Sequence, residues 1–176
     1  MHYASIKPCD IANGPGVRVS LFVSGCTHHC PGCFNKETWD FAYGQPFTEE
    51  TMATLYEKLS PGYITGLTLL GGEPMEPANQ RALLPFVEEV RRRFPGKTIW
   101  CYTGYTYETD LLSPGGRAHC EVTDTLLDRI DVLVDGRFVQ DLYDITLLFR
   151  GSSNQRLIDL RRTRQAGSVV LWERQD

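Results

Sequence analysis

Strand patterns that alternate with helix patterns are the feature that most constrains the fold of this chain. Residues 17–23 carry an apolar side chain at every second position, which predicts a strand. Thr48 is a predicted N-cap, followed by Glu49 and Glu50 in the first turn of a helix. A second strand is predicted at residues 63–70. This alternation favours an α/β fold with a largely parallel sheet.

The alternation continues through the rest of the chain. Apolar residues at helical spacing predict a helix across residues 83–94, in which Pro85 should start, kink or split the helix. Further strands are predicted at residues 97–103, 130–134, 145–149 and 168–172. An eight-stranded α/β barrel takes about 250 residues. The 176 residues present therefore predict an open partial (β/α) barrel of about five or six mainly parallel strands.

Composition limits the classes of protein that fit this pattern. With 41% hydrophobic residues the chain can bury a core, and residues 1–176 show no repeat or linker that would divide one domain. The net charge of −4 offers no general attraction for nucleic acid or an anionic membrane. There is no long apolar run and no secretion signal at the N-terminus. We therefore expect a cytoplasmic protein with neither nucleic acid nor membrane as a partner.

Three cysteines, Cys26, Cys30 and Cys33, lie within eight residues directly after the first predicted strand. Without a secretion signal, this clustering favours metal ligands over disulfides. Three thiolates at the spacing C-x3-C-x2-C can hold a four-iron cluster and leave one iron without a protein ligand. A substrate or cofactor can then occupy the open position, as in catalytic metal sites.

Other uses of this cysteine loop remain open. A Cys3His zinc site could include His28 or His29, although solvent or contacts around the cluster are the expected surroundings of both rings. The loop could also hold no metal at all. The remaining cysteines, which have no predicted role, are Cys9, Cys101 and Cys120.

Four loops follow predicted strands and should meet at one edge of the sheet, because the carboxyl ends of parallel strands lie together. They are residues 26–33, 71–74, 103–104 and 135–136. Gly71 and Gly72 would let a ligand approach the main chain, although a plain turn between a strand and a helix also uses glycines. Asp135 and Gly136 equally suit a turn.

Sequence motifs then resemble a known superfamily. The three cysteines followed by Phe34, together with Gly-Gly-Glu-Pro at 71–74, resemble radical S-adenosylmethionine (SAM) enzymes. Further blocks identify the chain as a member of the family that activates anaerobic ribonucleoside-triphosphate reductase, within the glycyl-radical activating enzymes of that superfamily. These blocks are NGPGVR (13–18), FVSGC (22–26), YTGY (102–105), VDGRF (134–138) and FRGSSNQR (149–156).

The resemblance implies an oxidoreductase with a radical SAM barrel, a [4Fe-4S] cluster and S-adenosyl-L-methionine. Cys26, Cys30 and Cys33 would bind three irons, and the amino and carboxylate groups of S-adenosylmethionine would chelate the fourth. An electron from reduced flavodoxin or ferredoxin would cleave the cofactor to methionine and a 5′-deoxyadenosyl radical. That radical would remove a hydrogen from a glycine Cα of the partner, anaerobic ribonucleoside-triphosphate reductase. The cluster and cofactor carry the chemistry, so no further catalytic residue is expected.

The resemblance also implies nine cofactor-binding residues: Gly32, Cys33, Phe34, Leu70, Gly71, Gly72, Glu73, Thr103 and Asp135. Glu73 would neutralise the methionyl ammonium or cap the next helix, and Phe34 would pack against adenine or shield the cluster. Leu70 would serve through its main chain only. Thr103 and Asp135 would contact the methionyl part or a bound cation.

Polar residues 151–156 could line an open side of the barrel, bind the partner or form an ordinary surface loop. Arg18, Arg137 and Arg150 could contact the cofactor carboxylate or the partner. Two rival enzymes are an activase of another glycyl-radical protein and a radical SAM enzyme that acts on a small molecule. A third alternative is a non-catalytic iron–sulfur or zinc protein.

Overall fold

The computed structural model describes residues 1–174, which form a mixed sheet flanked by helices. The strands are β1 His2–Asp10, β2 Val17–Val23, β3 Gln45–Pro46, β4 Ile64–Gly71, β5 Thr98–Tyr102, β6 Val132–Asp135 and β7 Arg156–Asp159. The α-helices are α1 Glu49–Leu59, α2 Pro77–Arg93, α3 Thr123–Asp128 and α4 Leu160–Ala166. Short turns of other helix types lie at Lys36–Trp39, Tyr107–Leu112 and Gln140–Leu142.

The sheet has seven strands in the order β3-β1-β2-β4-β5-β6-β7. Its centre is parallel, because β2, β4, β5 and β6 pair in the same direction. Its edges are antiparallel, since β1 pairs with both β2 and β3 and β7 pairs with β6. The predicted α/β class is therefore confirmed, but the sheet is mixed and has more strands than the five or six predicted.

Two of the predicted strands are wrong. Residues 145–149 form turns, in which the Thr146 N–H and hydroxyl both donate to Asp144 Oδ1 at 2.8 and 2.7 Å. This local Asx turn competes with extended structure. Residues 168–172 contribute only an isolated bridge from Leu171 to Ile158. The sequence patterns also missed β1, β3 and β7, the antiparallel strands at the two edges.

The central strands and the start of helix α1 lie within one or two residues of their predicted positions. Helix α1 begins after Thr48, whose hydroxyl accepts from the Thr51 N–H at 3.3 Å, while the Thr51 hydroxyl accepts from the Thr48 N–H. Helix α2 starts at Pro77, earlier than predicted, and continues through Pro85. Pro85 deprives only the carbonyl of the exposed Arg81 of its helical hydrogen bond. Among residues 1–174, no helix has the length and apolar character needed to span a membrane.

The two faces of the central strands differ in chemistry. On one face, which we call the helix-covered face, apolar side chains pack with the helices; they include Val19, Leu21, Leu67, Leu69, Ile99 and Leu133. The alternate residues form the cavity face, where Arg18, Ser20 and Thr68 are buried beside a smaller apolar cluster around Trp100. The period of two along each strand produces this division.

Candidate functional site

A cavity of about 370 Å³ opens at the carboxyl edge of the parallel strands. All four loops that were expected to converge contribute residues to its wall. The predicted site residues found there are Cys26, Cys30, Cys33, Phe34, Leu70, Gly71, Gly72, Glu73 and Thr103. Gly32 and Asp135 belong to the same loops, but they do not line this cavity.

Glycines bring the cysteine loop against the end of β4. The Gly72 N–H donates to the Val23 carbonyl at 2.7 Å, and the Glu73 N–H donates to the Gly25 carbonyl at 2.8 Å. A Cβ on Gly72 would lie 2.8 Å from the Gly25 oxygen. Gly71 has φ +106°, and a Cβ there would lie 2.8 Å from the backbone of Phe22. Only glycines permit this close approach of the two loops.

The cysteine side chains form a soft donor set on one wall. Cys26 and Cys30 are buried, and Cys33 Sγ accepts a hydrogen bond from the Asn35 N–H at 3.4 Å. Burial raises the pKa of the Cys26 thiol to about 12, while the main-chain N–H groups of His28 and His29 act in the opposite direction. Such N–H groups stabilise sulfur ligands once a metal has displaced the protons.

These residues fit an iron–sulfur cluster by their chemistry. Three thiols line the same cavity, and the Asn35 N–H donates to the Cys33 sulfur. Within residues 1–174, however, no group of three or more His, Cys, Asp and Glu side chains is already arranged around a common metal position. The three cysteines therefore line the cavity, but they do not by themselves form a complete metal site.

Glu73 is held by three hydrogen bonds at the cavity wall. Its Oε2 accepts from the Gly104 N–H at 2.7 Å and lies 3.0 Å from His28 Nε2, while Oε1 accepts from the Met75 N–H at 2.8 Å. The residue is 1% exposed. It does not cap the next helix, because the N-cap of α2 is Glu76. Glu73 is thus a fixed, buried acidic group that joins three loops.

The two histidines of the cysteine loop have different surroundings. His28 is buried, and its ring lies against Tyr105 with 4.3 Å between centroids. Its Nδ1 is buried without a hydrogen-bond partner in the described part of the chain. His29 is exposed and stacks on Trp39 at 4.6 Å. Only His28 lines the cavity, where the three cysteines also lie, so of the two expected surroundings solvent applies to His29 alone.

Thr103 and Asp135 also differ. Thr103 lines the cavity, and its hydroxyl accepts from the Tyr105 N–H at 3.1 Å. The Asp135 carboxylate is buried against Arg156, with contacts of 2.9 and 2.5 Å, and accepts from the Tyr107 N–H at 2.9 Å. The carboxylates of Asp135 and Glu108 together raise the pKa of Arg156. The structure brings Gly136, rather than Asp135, to the cavity.

The three arginines singled out in the sequence have separate places. Arg18 is buried on the cavity face and donates to groups of the sheet. Arg137 donates to the His28 carbonyl, and Arg150 donates to the Gln155 carbonyl at 2.6 Å. Only Arg150 lines the cavity.

Some lining residues were not assigned to the site from the sequence. Phe138 and Phe149 lie in the cavity wall, and Tyr102 fixes that wall by donating its hydroxyl to the Phe149 carbonyl at 2.9 Å. All three occur inside the sequence blocks VDGRF, FRGSSNQR and YTGY. The blocks were thus a signal for these residues, although their side-chain positions depend on the tertiary fold.

Comparison with known proteins gives first the class and then the family. A family model described as a 4Fe-4S single cluster domain matches residues 12–158, which places the chain among proteins with such a domain. The anaerobic ribonucleoside-triphosphate reductase-activating protein of Escherichia coli (strain K12) is 46% identical over 163 residues, covering 92% of this chain and 100% of the relative.

Two further relatives give the same result. The activating protein of the same name from Enterobacteria phage T4 is 45% identical over 157 residues, covering 89% of this chain and 93% of the relative. That from Pasteurella multocida (strain Pm70) is 45% identical over 160 residues, with 88% and 95% covered. The chain therefore belongs to the family of anaerobic ribonucleoside-triphosphate reductase-activating proteins, which confirms the resemblance identified from its motifs.

Proposed function

We propose that this chain is a radical SAM activase that installs a glycyl radical in anaerobic ribonucleoside-triphosphate reductase. The observation that carries the proposal is the convergence of three cysteines with the Gly-Gly-Glu segment in one cavity. Membership of a family whose relatives are named as activating proteins supports that partner. The matched 4Fe-4S domain supports an iron–sulfur cluster over zinc.

Cys26, Cys30 and Cys33 would hold three irons of a [4Fe-4S] cluster. Bound there, the cluster would supply one electron for cleavage of S-adenosylmethionine, giving methionine and a 5′-deoxyadenosyl radical that removes a glycine Cα hydrogen. The N–H groups directed at Cys26 and Cys33 would stabilise the thiolate ligands. Because the Cys26 thiol has a raised pKa, its proton must leave when the metal binds.

The residues around the glycine pair would position S-adenosylmethionine. Gly71 and Gly72 leave the main chain accessible beside Leu70, and Glu73 offers a carboxylate that its neighbours hold in place. This carboxylate suits the methionyl ammonium. Phe34, which is 68% exposed at the mouth of the cavity, can cover the adenine or the cluster.

Three other predicted residues take supporting parts in this proposal. Thr103 would contact the methionyl part from the cavity wall. Gly32 allows the cysteine loop to approach Gln140, because a Cβ on this glycine would lie 2.7 Å from the Gln140 side chain. For Asp135 we infer an indirect part, since Arg156 and the Tyr107 N–H occupy its carboxylate.

The proposal extends to the fold and the setting of the reaction. Residues 1–176 would form one radical SAM domain, and the sheet order, with β3 and β7 at opposite ends, supports an open partial barrel. An open side suits an enzyme whose substrate is another folded protein. Reduced flavodoxin or ferredoxin would supply the electron in the cytoplasm.

Anaerobic reconstitution with iron and sulfide tests the function directly. We expect a cluster, reductive cleavage of S-adenosylmethionine and a glycyl radical signal when the reductase is added. Cys26→Ser, Cys30→Ser and Cys33→Ser should each reduce cleavage by at least about 100-fold, because an incomplete ligand set does not hold the open iron. Cys9→Ser, which changes an exposed cysteine outside the cavity, is the matched control.

Two results would overturn parts of this function. A reduced cluster that leaves S-adenosylmethionine intact, with or without the reductase, would support a non-catalytic iron–sulfur protein. Cleavage that produces a glycyl radical in a formate-lyase-type protein, but not in the reductase, would support an activase for a different partner.

A further inference from the structure

The polar block 151–156 uses its side chains for hydrogen bonds within the molecule. The Asn154 amide donates to the Arg137 carbonyl at 2.8 Å, and the Gln155 amide donates to the Gly136 carbonyl at 3.0 Å. Gln155 Oε1 accepts from the Gly151 N–H at 2.9 Å. The sequence left these side chains as candidates for partner binding. In the structure they form a brace, a set of hydrogen bonds that holds the neighbouring loop, residues 136–149, in place.

The brace also holds the middle of that loop. The Ser152 hydroxyl accepts from the Val139 N–H at 3.2 Å, and the Ser153 N–H donates to the Leu142 carbonyl at 3.0 Å. Tyr143 forms an antiparallel bridge with Ser152. These hydrogen bonds fix the backbone of the loop. Several of its side chains therefore point to solvent from a backbone of defined conformation.

The exposed side chains of this loop include a cluster of large apolar ones. We call Val139, Leu142, Tyr143, Ile145 and Leu148 the apolar lip. They are five of the twelve large hydrophobic residues that are exposed among residues 1–174, and they fall within ten consecutive positions. Ile145 is 84% exposed. Such a concentration of exposed apolar side chains marks an interaction surface, whereas isolated ones need no explanation.

The apolar lip adjoins the cavity. The same loop contributes Phe138, Leu147 and Phe149 to the cavity wall, and Tyr143 lies 5.7 Å from Phe34 between ring centroids. Phe34 follows the last cysteine of the cluster loop. A molecule that covers the apolar lip must therefore lie over the mouth of the cavity.

We propose that the apolar lip is the docking surface for the glycine-bearing segment of the reductase. The inference rests on the proposed function, which requires a main-chain Cα of another protein to reach the cavity. A small substrate contained in the cavity would leave this outer surface unused. Within residues 138–149 the only charged side chains are Asp141 and Asp144. The segment that docks should accordingly be apolar at its centre and carry lysine or arginine at its rim.

The test compares the double variant Ile145→Ser/Leu148→Ser with Tyr63→Ser. Neither lip residue lines the cavity, and the control residue is 64% exposed just before β4, at the opposite end of the parallel strands. Binding of the reconstituted protein to the reductase is measured by calorimetry. We expect the Kd of the double variant to rise about tenfold, as for the loss of a central apolar contact. The control should bind like the parent.

Activity measurements separate docking from chemistry. Cleavage of S-adenosylmethionine without reductase should be unchanged in the double variant. The reductase concentration that gives half-maximal glycyl radical should rise about tenfold, while the final radical yield at saturation stays the same. If no preparation cleaves S-adenosylmethionine but the lip variant still loses affinity, the proposed function fails and the docking surface is supported.

Three results would overturn the docking proposal. The first is an unchanged Kd in the double variant, and the second is an equal loss in Tyr63→Ser. The third is a different occupant of the surface. If sedimentation showed that the double variant had lost only self-association, the occupant of the surface would be a second copy of this chain. An activation defect present with flavodoxin but absent with dithionite would assign the surface to the electron donor.

Discussion

The helix-covered face and the cavity face are built from alternate residues of the same strands, yet different forces hold them. Leu21 and Leu69 are neighbours on the first face and are completely buried with the helices. Ser20 and Thr68 are neighbours on the second face and are equally buried, but polar. Burial of apolar area stabilises the first face. The second buries polar groups: the Thr68 hydroxyl accepts from Arg18 and donates to the Asn13 carbonyl, whereas the Ser20 hydroxyl has no hydrogen-bond partner within residues 1–174.

Arg18 shows how the cavity face is organised. Its guanidinium donates to the Thr68 hydroxyl and the Leu67 carbonyl, both at 2.7 Å, and to the Thr98 hydroxyl at 2.9 Å. It also lies over Trp100 at 5.6 Å. Burial lowers the pKa of Arg18 to about 10, so the group is still charged at neutral pH. One cation therefore ties β2 to β4 and β5 below the cavity.

Removing this cation should produce the largest effect on stability. We expect Arg18→Met to lower the free energy of unfolding by about 3–5 kcal/mol, because buried acceptors lose their donor. Urea unfolding of the cluster-free protein measures the change. Arg161→Met, at an exposed position of α4, should change it by less than about 0.5 kcal/mol. Similar values for the two variants would show that hydrogen bonds do not hold the cavity face.

On the helix-covered face, the corresponding test is the loss of volume. Leu69→Ala should lower the free energy of unfolding by about 2–5 kcal/mol, since the fully buried side chain leaves a cavity. Leu69→Met conserves the volume and should cost less than about 1.5 kcal/mol. Both are measured by urea unfolding. An equal loss in the two variants would mean that side-chain shape, rather than packed volume, is limiting on this face.

The division between the faces also explains how much of the fold the sequence predicts. Strand β2 has the predicted bounds and helix α1 begins after the predicted cap, because apolar periodicity on the helix-covered face and the Thr48 cap are local signals. Strand β1 has no such signal: most of its residues are partly or fully exposed, and it depends on pairing with β2. Strand β7 is likewise defined by its antiparallel pairing with β6.

In the candidate site, too, the residues marked by local sequence patterns were predicted, and the contacts between residues distant in sequence were not. Cysteine spacing and the Gly-Gly-Glu-Pro segment are local patterns, and the sequence places them at strand ends. The contact between His28 and Glu73 joins residues 45 positions apart, and the pairing of Asp135 with Arg156 spans 21. No periodicity encodes such contacts. The polar block 151–156 likewise was a candidate for partner binding or for an ordinary surface loop, whereas the amides of Asn154 and Gln155 hold the adjoining apolar loop in place.

A smaller effect should come from the polar contact between the cysteine loop and Glu73. We expect His28→Leu to weaken S-adenosylmethionine binding to the reconstituted protein about tenfold, because Glu73 loses a partner that holds it in place. His28→Gln keeps an amide donor and should restore affinity to within about threefold. Equilibrium dialysis gives the Kd, and iron content confirms that the cluster is intact.

His29→Gln is the control, since His29 is exposed and does not itself line the cavity. Equal weakening in His28→Leu and His28→Gln would contradict positioning by a hydrogen-bond donor. Lower iron content in His28→Leu would instead assign the residue to the structure of the cluster loop.

The smallest effect is expected at the carboxyl end of β6, where Arg156 binds Glu108 at 2.7 Å as well as Asp135. Hydrogen bonds from Arg156 lower the pKa of Glu108 below its ordinary value of 4.5. A lowered folded-state pKa stabilises the protein above pH 4.5, and this stabilisation disappears as the pH falls through the folded pKa. Because Glu108 is partly exposed, Glu108→Gln should lower the free energy of unfolding by about 0.2–1 kcal/mol at pH 7.

The difference between Glu108→Gln and the parent should shrink when urea unfolding is repeated at successively lower pH below 4.5. Glu57→Gln provides the baseline, because Glu57 is exposed on α1 and has no ion pair within residues 1–174. A difference that stays constant as the pH falls would mean that Glu108 acts through packing rather than charge. A decline confined to Glu108→Gln would show that ion pairing contributes to stability at the carboxyl end of β6.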